Sequence, residues 1–261
     1  MRSLIPLALL LSMGAAVPQA PAPPQRDAKV QEMINQVLAA YKALNTLHVK
    51  FSVKTEASDP RMLRDVYADA VEMKFSRPAR FNVIVSEKRQ SGRSTRTMYV
   101  SDGKEMFQHT LGFKTFTRTK LPEKPEEILT YPEDAQELGI LLKGEDPFKR
   151  FPAGSLIKIG TPTKVLGVDV DVLEASVSNL GFTGTMKIFI GVKDRLLRGV
   201  TSEFSGQETT ADGKTRQLKV KVEMNYQIVD PAPKLAEGDF VFLAPAGVVE
   251  AQAPRPQPGQ P

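Results

Sequence analysis

Residues 98–108 read Met-Tyr-Val-Ser-Asp-Gly-Lys-Glu-Met-Phe-Gln, and their pattern decides the fold class. Apolar and aromatic side chains flank an Asp-Gly pair, the residue pair that most readily forms a two-residue hairpin loop. With Asp102 and Gly103 as the loop, Tyr99 is expected to face Met106, and Met98 to face Phe107. Both pairs are large and apolar, so both faces of the hairpin are expected to bury something. The hairpin holds no nucleophile and only ordinary surface charges. It predicts a curved sheet built outward from such hairpins, with function in a concave apolar face.

Sequence on either side supports this. Residues 66–75 place Tyr67, Val71, Met73 and Phe75 on one strand face. Residues 76–79, Ser-Arg-Pro-Ala, break that strand, because proline fixes its own φ and removes a donor. Phe81, Val83 and Val85 then line one side of the next strand. Residues 47–54 alternate Leu47, Val49, Phe51 and Val53 with polar residues, which puts His48 on the solvated face. With residues 93–101, 104–110 and 113–120 these segments make six strands in an antiparallel meander. Before them, Asp27 caps a helix whose apolar positions are Val30, Met33, Ile34, Val37, Leu38, Tyr41 and Leu44, and Asn45 ends it.

From residue 121 to 151 four prolines punctuate short helical stretches. Residues 130–133 suit a capping box ahead of Leu138, Leu141 and Leu142, with Gly144 as the stop. Asp146-Pro147 starts a further short helix carrying Phe148 and Phe151. Strands return at residues 155–159, 168–177, 184–190, 195–204 and 216–229, the last two as partners, and residues 240–248 close the body. The count is about eleven strands and three or four helices, with no internal repeat.

The ends differ in kind. Arg2, the apolar run 4–11 and Gly14-Ala15-Ala16 form a secretory signal peptide, residues 1–16, with cleavage expected after Ala16. Residues 17–26 are a proline-rich spacer, residues 27–250 the folded body, and residues 251–261 a proline-rich tail. The mature protein is therefore expected to be soluble and outside the cytoplasm.

Composition excludes much. The 261 residues allow one large domain or two small ones. Zero cysteines rule out disulfides, thiolate metal sites, cysteine nucleophiles and a lipid-modified cysteine. The formal charge of +5 is spread without a basic run, and basic-aromatic interleaving is lacking, so nucleic acid is not an expected partner. The chain has two histidines, no GxGxxG, P-loop, HExxH or GxSxG, and no singled-out carboxylate pair. Asp169 and Asp171 share a strand face, which reads as solvated rather than metal-binding. No catalytic residue, cofactor or metal is expected.

Arg77 is the unusual residue. It follows Met73 and Phe75 on one strand face, and an arginine on an apolar face must be paired or hydrogen-bonded, because a guanidinium cannot shed its charge. An arginine at the sheet rim that reaches water is the plainer alternative.

With these residues in view, the chain resembles the bacterial periplasmic carriers of outer-membrane lipoproteins (LolA-like proteins) and the wider lipid-binding group of that fold. The resemblance rests on a signal peptide and amphipathic helix, then Leu47-His48-Val49-Lys50-Phe51, then Arg77-Pro78-Ala79-Arg80-Phe81, similar to the family's Arg-Pro-x-x-Phe. Val100-Ser101-Asp102-Gly103 follows, and Phe240-Val241-Phe242 with Pro245-Ala246-Gly247-Val248 resembles the family's closing strand. The chain is longer than a minimal carrier, chiefly through residues 121–163 and its ends, and has no tryptophan.

The resemblance implies an unclosed antiparallel β-barrel whose concave face, covered by helices, holds acyl chains. It implies that Arg77, with Pro78, latches the helical lid. The expected cavity wall is Phe51, Met73, Phe75, Phe81, Val83, Val85, Tyr99 and Met106. The methionines, Met98 among them, would suit varied chains. Expected partners are lipoprotein acyl chains or lipid, an inner-membrane donor complex and an outer-membrane acceptor, with the protein a monomer. An envelope sensor that detects mislocalised lipoproteins on the same scaffold is the alternative. A secreted hydrolase is disfavoured for want of a nucleophile and base.

Overall fold

The structure is a computed structural model describing residues 25–58, 66–89, 94–124, 127, 129, 136–151, 155–179, 182–209 and 215–251. The signal segment, the spacer up to residue 24, the proposed capping box at 130–133 and the tail from residue 252 lie outside the described residues.

The chain opens with β1 (Gln25–Arg26) and α1 (Ala28–Ala43). Asp27 caps α1 by accepting the Val30 N–H at 2.8 Å, which satisfies one of the orphan donors of the first turn. A meander follows: β2 (Thr46–Ala57), β3 (Val66–Ser76), β4 (Arg80–Arg89), β5 (Ser94–Asp102), β6 (Glu105–Thr110) and β7 (Thr115–Lys120). Then come α2 (Gln136–Leu142), a 3-10 turn at Pro147–Arg150, β8 (Leu156–Ile159) and β9 (Thr163–Val165). A second meander is β10 (Val168–Asn179), β11 (Phe182–Gly191), β12 (Leu197–Thr209) and β13 (Thr215–Asp230), followed by a 3-10 turn at Glu237–Phe240 and β14 (Val249–Glu250).

All fourteen described strands join one unclosed sheet in the order β1-β8-β10-β11-β12-β13-β2-β3-β4-β5-β6-β7-β14, with β9 beside β10. Eleven of these strands have four or more residues, and the other three are short. Pairing is antiparallel except at the two margins, where the terminal segments β1 and β14 lie parallel to β8 and β7. Gln25 and Arg26, assigned to the spacer, are thus part of the sheet, opposite Leu156 and Ile157. The expected pairing of the segments 195–204 and 216–229 is present as β12 with β13. No helix among the described residues is long and apolar enough to cross a membrane.

Two expectations need correction. In the β5–β6 hairpin the loop is Gly103-Lys104, not Asp102-Gly103. Tyr99 therefore faces Gln108, Met98 faces His109, Val100 faces Phe107 and Ser101 faces Met106. The cause is the Asp102 side chain, whose Oδ1 accepts the N–H groups of Lys104 at 2.7 Å and Glu105 at 2.9 Å. An aspartate that bridges the turn in this way sits at its start, and Gly103 takes the positive φ of 93°. The slip moves each partner by two residues, so every side chain keeps its expected face. The second correction concerns residues 240–248. They form no strand; Phe240 ends a 3-10 turn, and the chain then runs across the outer face of the sheet before β14.

Candidate functional site

Register defines two faces. On the concave face three rows cross the first meander. They are Leu47–Phe75–Phe81–Ser101–Met106, Val49–Met73–Val83–Tyr99–Gln108, and Phe51–Val71–Val85–Thr97–Thr110. Over these rows lie Val30, Ile34, Val37 and Tyr41 of α1 and Leu138, Leu141 and Leu142 of α2, all in one buried cluster. Seven of the eight expected wall residues, Phe51, Met73, Phe75, Phe81, Val83, Val85 and Met106, are at most 1% exposed. The eighth, Tyr99, is half-buried and packs against the cluster. The structure thus brings all eight to the apolar face beneath the helices.

Arg77 holds that cover in place. Its Nε donates to the Leu44 carbonyl at 2.7 Å, and its Nη2 donates to the carbonyls of Tyr41 and Lys42 at 3.2 Å and of Leu142 at 2.9 Å. Its own main-chain N–H donates to Asn45 O at 2.9 Å. The four acceptors of the side chain are carbonyls at the C-terminal ends of α1 and α2, where the last turn lacks helical donors and the negative end of each helix dipole lies. At α2 a Schellman turn already uses two carbonyls: Gly144 N–H reaches Leu141 O at 2.8 Å, and Glu145 N–H reaches Ile140 O at 3.0 Å. Gly144 makes the turn with φ 74°, and Leu142 O is left for Arg77. The guanidinium also sits 5.7 Å from the Phe75 ring centre. Pro78 is exposed on the turn after Arg77 and takes no part in this set of contacts.

Further polar ties fix the helices. The Tyr41 hydroxyl accepts the Leu197 N–H at 3.2 Å. Burial pushes its phenol well above the usual tyrosine range, and burial does the same to Tyr226, which stacks on Phe51 at 5.0 Å. Asp146 caps the 3-10 turn through the Phe148 N–H at 2.9 Å and pairs with Arg26, so β1 is tied to the α2 side.

The concave face continues onto the second meander, and there the sequence reading missed residues. Three rows run Leu173–Ile188–Val200–Met224–Val53, Ala175–Met186–Ser202–Val222–Thr55, and Val177–Gly184–Phe204–Val220–Ala57. Between β13 and β2, cover thins along these rows. Tyr226 and Phe51 are buried, Met224 and Val222 are half-buried, and so are Val220 and Ala57. Val177, Val200, Val222 and Met224 all pack against the core while remaining partly open. A Cβ on Gly184 would fall 2.2 Å from the Phe204 ring, so glycine lets that ring lie across its neighbour strand. The face is therefore sealed at the Arg77 end and has a half-covered apolar mouth at the other. The signal available was the alternation of Leu218, Val220, Val222, Met224 and Tyr226, which marks the face but not how far the helices reach.

On the convex face, His48 contacts Glu72 at 2.9 Å; Asp169 and Asp171, which share the register face of Leu173 toward the starting end of β10, pair with Lys164 and Arg195. Residues 231–248 cross the convex face as a strap. Lys74 Nζ donates to Asp239 at 2.6 Å, and Asn82 Nδ2 donates to the Asp239 carbonyl at 2.9 Å. Arg80 reaches Glu237 at 2.9 Å and lies 5.1 Å from the Phe240 ring centre. Phe242 packs with Phe107 at 5.2 Å and Phe116 at 5.0 Å. The hydrogen bond from Lys74 holds the Asp239 carboxyl below the usual aspartate value.

No family model matches the chain, and no curated protein sequence matches it. Among solved structures, a crystal structure of a DUF1329 family protein from Desulfovibrio piger is 10% identical, with 81% of this chain and 97% of that chain covered and a TM-score of 0.33. A crystal structure of MucB in complex with MucA(peri) is 10% identical, with coverage of 76% and 94% and a TM-score of 0.14.

Proposed function

We propose that the protein is a non-enzymatic periplasmic carrier that takes acyl chains of lipoproteins or lipids onto its concave face, as the resemblance to LolA-like proteins implies. The observation that carries the proposal is the Arg77 clamp, which joins the ends of two helices over a continuous apolar sheet face. The sealed state hides the apolar face; opening offers it to a chain whose exposure to water costs about 0.8 kcal/mol per methylene. No covalent chemistry is needed. The balance between the two states sets uptake against release. The carrier acts as a monomer between an inner-membrane donor and an outer-membrane acceptor.

Native mass spectrometry of protein purified from envelope fractions tests this. Co-purified acyl lipid or lipoprotein is expected. Repeated absence of it, with capture of a membrane-embedded signalling protein instead, would favour the sensor. For the clamp, Arg77→Leu removes four charge-assisted hydrogen bonds, each worth about 1.5–3 kcal/mol at most. The variant should keep its far-UV circular dichroism and change the release rate of a fluorescent acyl probe by ~10-fold or more. Unchanged release kinetics would refute the latch role.

A further inference from the structure

The turn between β6 and β7 carries two large apolar side chains that stand mostly exposed, and their surroundings point to a ligand surface. Leu111 is 66% exposed and Phe113 is 61% exposed, with only Gly112 between them. Val249, 62% exposed, is brought alongside by its N–H, which donates to Lys114 O at 3.0 Å. The turn is held firmly. Leu111 N–H donates to Arg96 O at 2.8 Å, Phe113 N–H to Thr110 O at 3.1 Å, and Thr97 and Thr110 join through their hydroxyls at 3.0 Å. Gly112 takes the positive φ of 92° that closes the turn. A rigid turn that presents Leu and Phe to water is not needed for packing, because neither side chain belongs to the core.

The exposed charges beside it that lack an ion-pair partner among the described residues include two cations. Arg96 and Lys114 are exposed, and neither is paired with an acidic group among the described residues. Of the nearby acids, Glu250 pairs with Arg118, and Glu87 is half-buried and accepts from Thr95 Oγ1 at 3.0 Å. Two apolar side chains, one of them aromatic, flanked by two unpaired cations make the pattern of a shallow insertion into an anionic lipid interface. The turn also lies at the same end of its strands as the β2–β3, β10–β11 and β12–β13 connections, the end toward which cover over the concave face thins.

We propose that the β6–β7 turn is a membrane-docking tip, in which Leu111 and Phe113 enter the headgroup region of an anionic bilayer while Arg96 and Lys114 meet lipid phosphates. The assignment is independent of the carrier function, since a tip of this kind serves any envelope protein that visits a bilayer transiently. With so few apolar groups, binding is weak and reversible, which suits a visitor and not a resident.

The chain has no tryptophan, so Phe113→Trp places a single fluorophore at the tip. Vesicles of phosphatidylethanolamine with one quarter phosphatidylglycerol should shift its emission to the blue, and vesicles of phosphatidylcholine alone should shift it less. Raising salt from ~0.1 to ~0.5 M should weaken the response, because exposed charges are screened within a few ångströms there. Leu111→Asp in that background should lower vesicle partitioning ~10-fold or more. It should leave uptake of a detergent-dispersed acyl probe unchanged, which separates this tip from the concave face. Leu166→Trp, at the exposed turn after β9, is the control and should not respond. An identical response at residue 166, or no response at residue 113 with either vesicle, would overturn the proposal; the latter would leave the tip to a protein partner.

Discussion

Tyr41 shows how much one hydroxyl does in an apolar interior. Its ring belongs to the face of α1 that covers the sheet, and its oxygen accepts the N–H of Leu197 at the start of β12. Tyr41→Phe keeps the ring and removes the acceptor, leaving a buried donor without its partner. The expected cost is about 1–3 kcal/mol, read as a lower urea midpoint with an unchanged slope. The pH dependence has a definite sign. The folded-state value is raised by burial, so the stabilising contribution is complete below the unfolded tyrosine value of about 10 and is lost as pH rises through the higher folded value. The deficit of Tyr41→Phe should therefore shrink above about pH 10. A deficit that is constant across that range would mean that the phenol titrates alike in the folded and unfolded states, and so is not raised by burial. Arg77 teaches a related lesson about what a sequence displays. Its anomaly was visible, as a permanent charge after Met73 and Phe75. Its acceptors were not, because all four are main-chain carbonyls, which every residue possesses.

Among the elements, the strap across the convex face is held by a carboxyl whose titration is shifted. Asp239 joins it to the sheet through Lys74 and through its own carbonyl to Asn82. The Lys74 hydrogen bond lowers the carboxyl's folded value, with the Ala236 N–H contributing less. A lowered value stabilises above the unfolded aspartate value of about 3.9 and stops doing so as pH falls through the folded one. Protection of the amides in residues 237–242, relative to their intrinsic exchange rates, should therefore fall in acid below about pH 4, ahead of protection in β2 and β3. Asp239→Asn should quicken exchange there at neutral pH and flatten its acid dependence. Acid-independent protection in the wild type would show that the aromatic contacts of Phe240 and Phe242 hold the strap alone. This element was the one most misread from sequence. Phe240-Val241-Phe242 has a strand's composition, but Phe240 lies under Arg80 and Phe242 lies against Phe107 and Phe116. A segment anchored at those points crosses strands and does not extend along one; only Val249–Glu250 reaches the edge of β7. By contrast, α1 and the meander from β2 to β7 were legible, because helical spacing and period-two alternation are local. The β5–β6 register was not, since it depends on which backbone groups one aspartate side chain chooses.

At the scale of the molecule, the sheet is one surface with unequal cover. Both of its margins carry a short parallel strand, β1 on β8 and β14 on β7, which covers those edges without closing the barrel. That Phe51, Met73, Phe75, Phe81, Val83 and Val85 share apolar strand faces was legible, because alternation assigns a face. Where that face stays half open, near Val200, Val222 and Met224, was not legible, because it depends on how far two helices reach across strands distant in sequence. Sealed and open regions of one face make a direct prediction about ligand linkage. A chain bound there is bound by the folded state alone, so it stabilises by RT ln(1 + [L]/Kd), about 2.7 kcal/mol at one hundred times Kd. For a body of this size that raises the melting temperature by roughly 5–10 °C. Dodecyl to octadecyl chains should give a shift that grows with length, as each added methylene is buried. Met224→Glu should reduce the shift sharply, because it sets a charge in the half-covered mouth while leaving the sealed rows intact. Arg77→Leu should keep the shift while lowering the baseline melting temperature, since it loosens the cover without altering the face. If shifts were equal for all lengths, or were retained in Met224→Glu, the chain would bind somewhere other than the concave face.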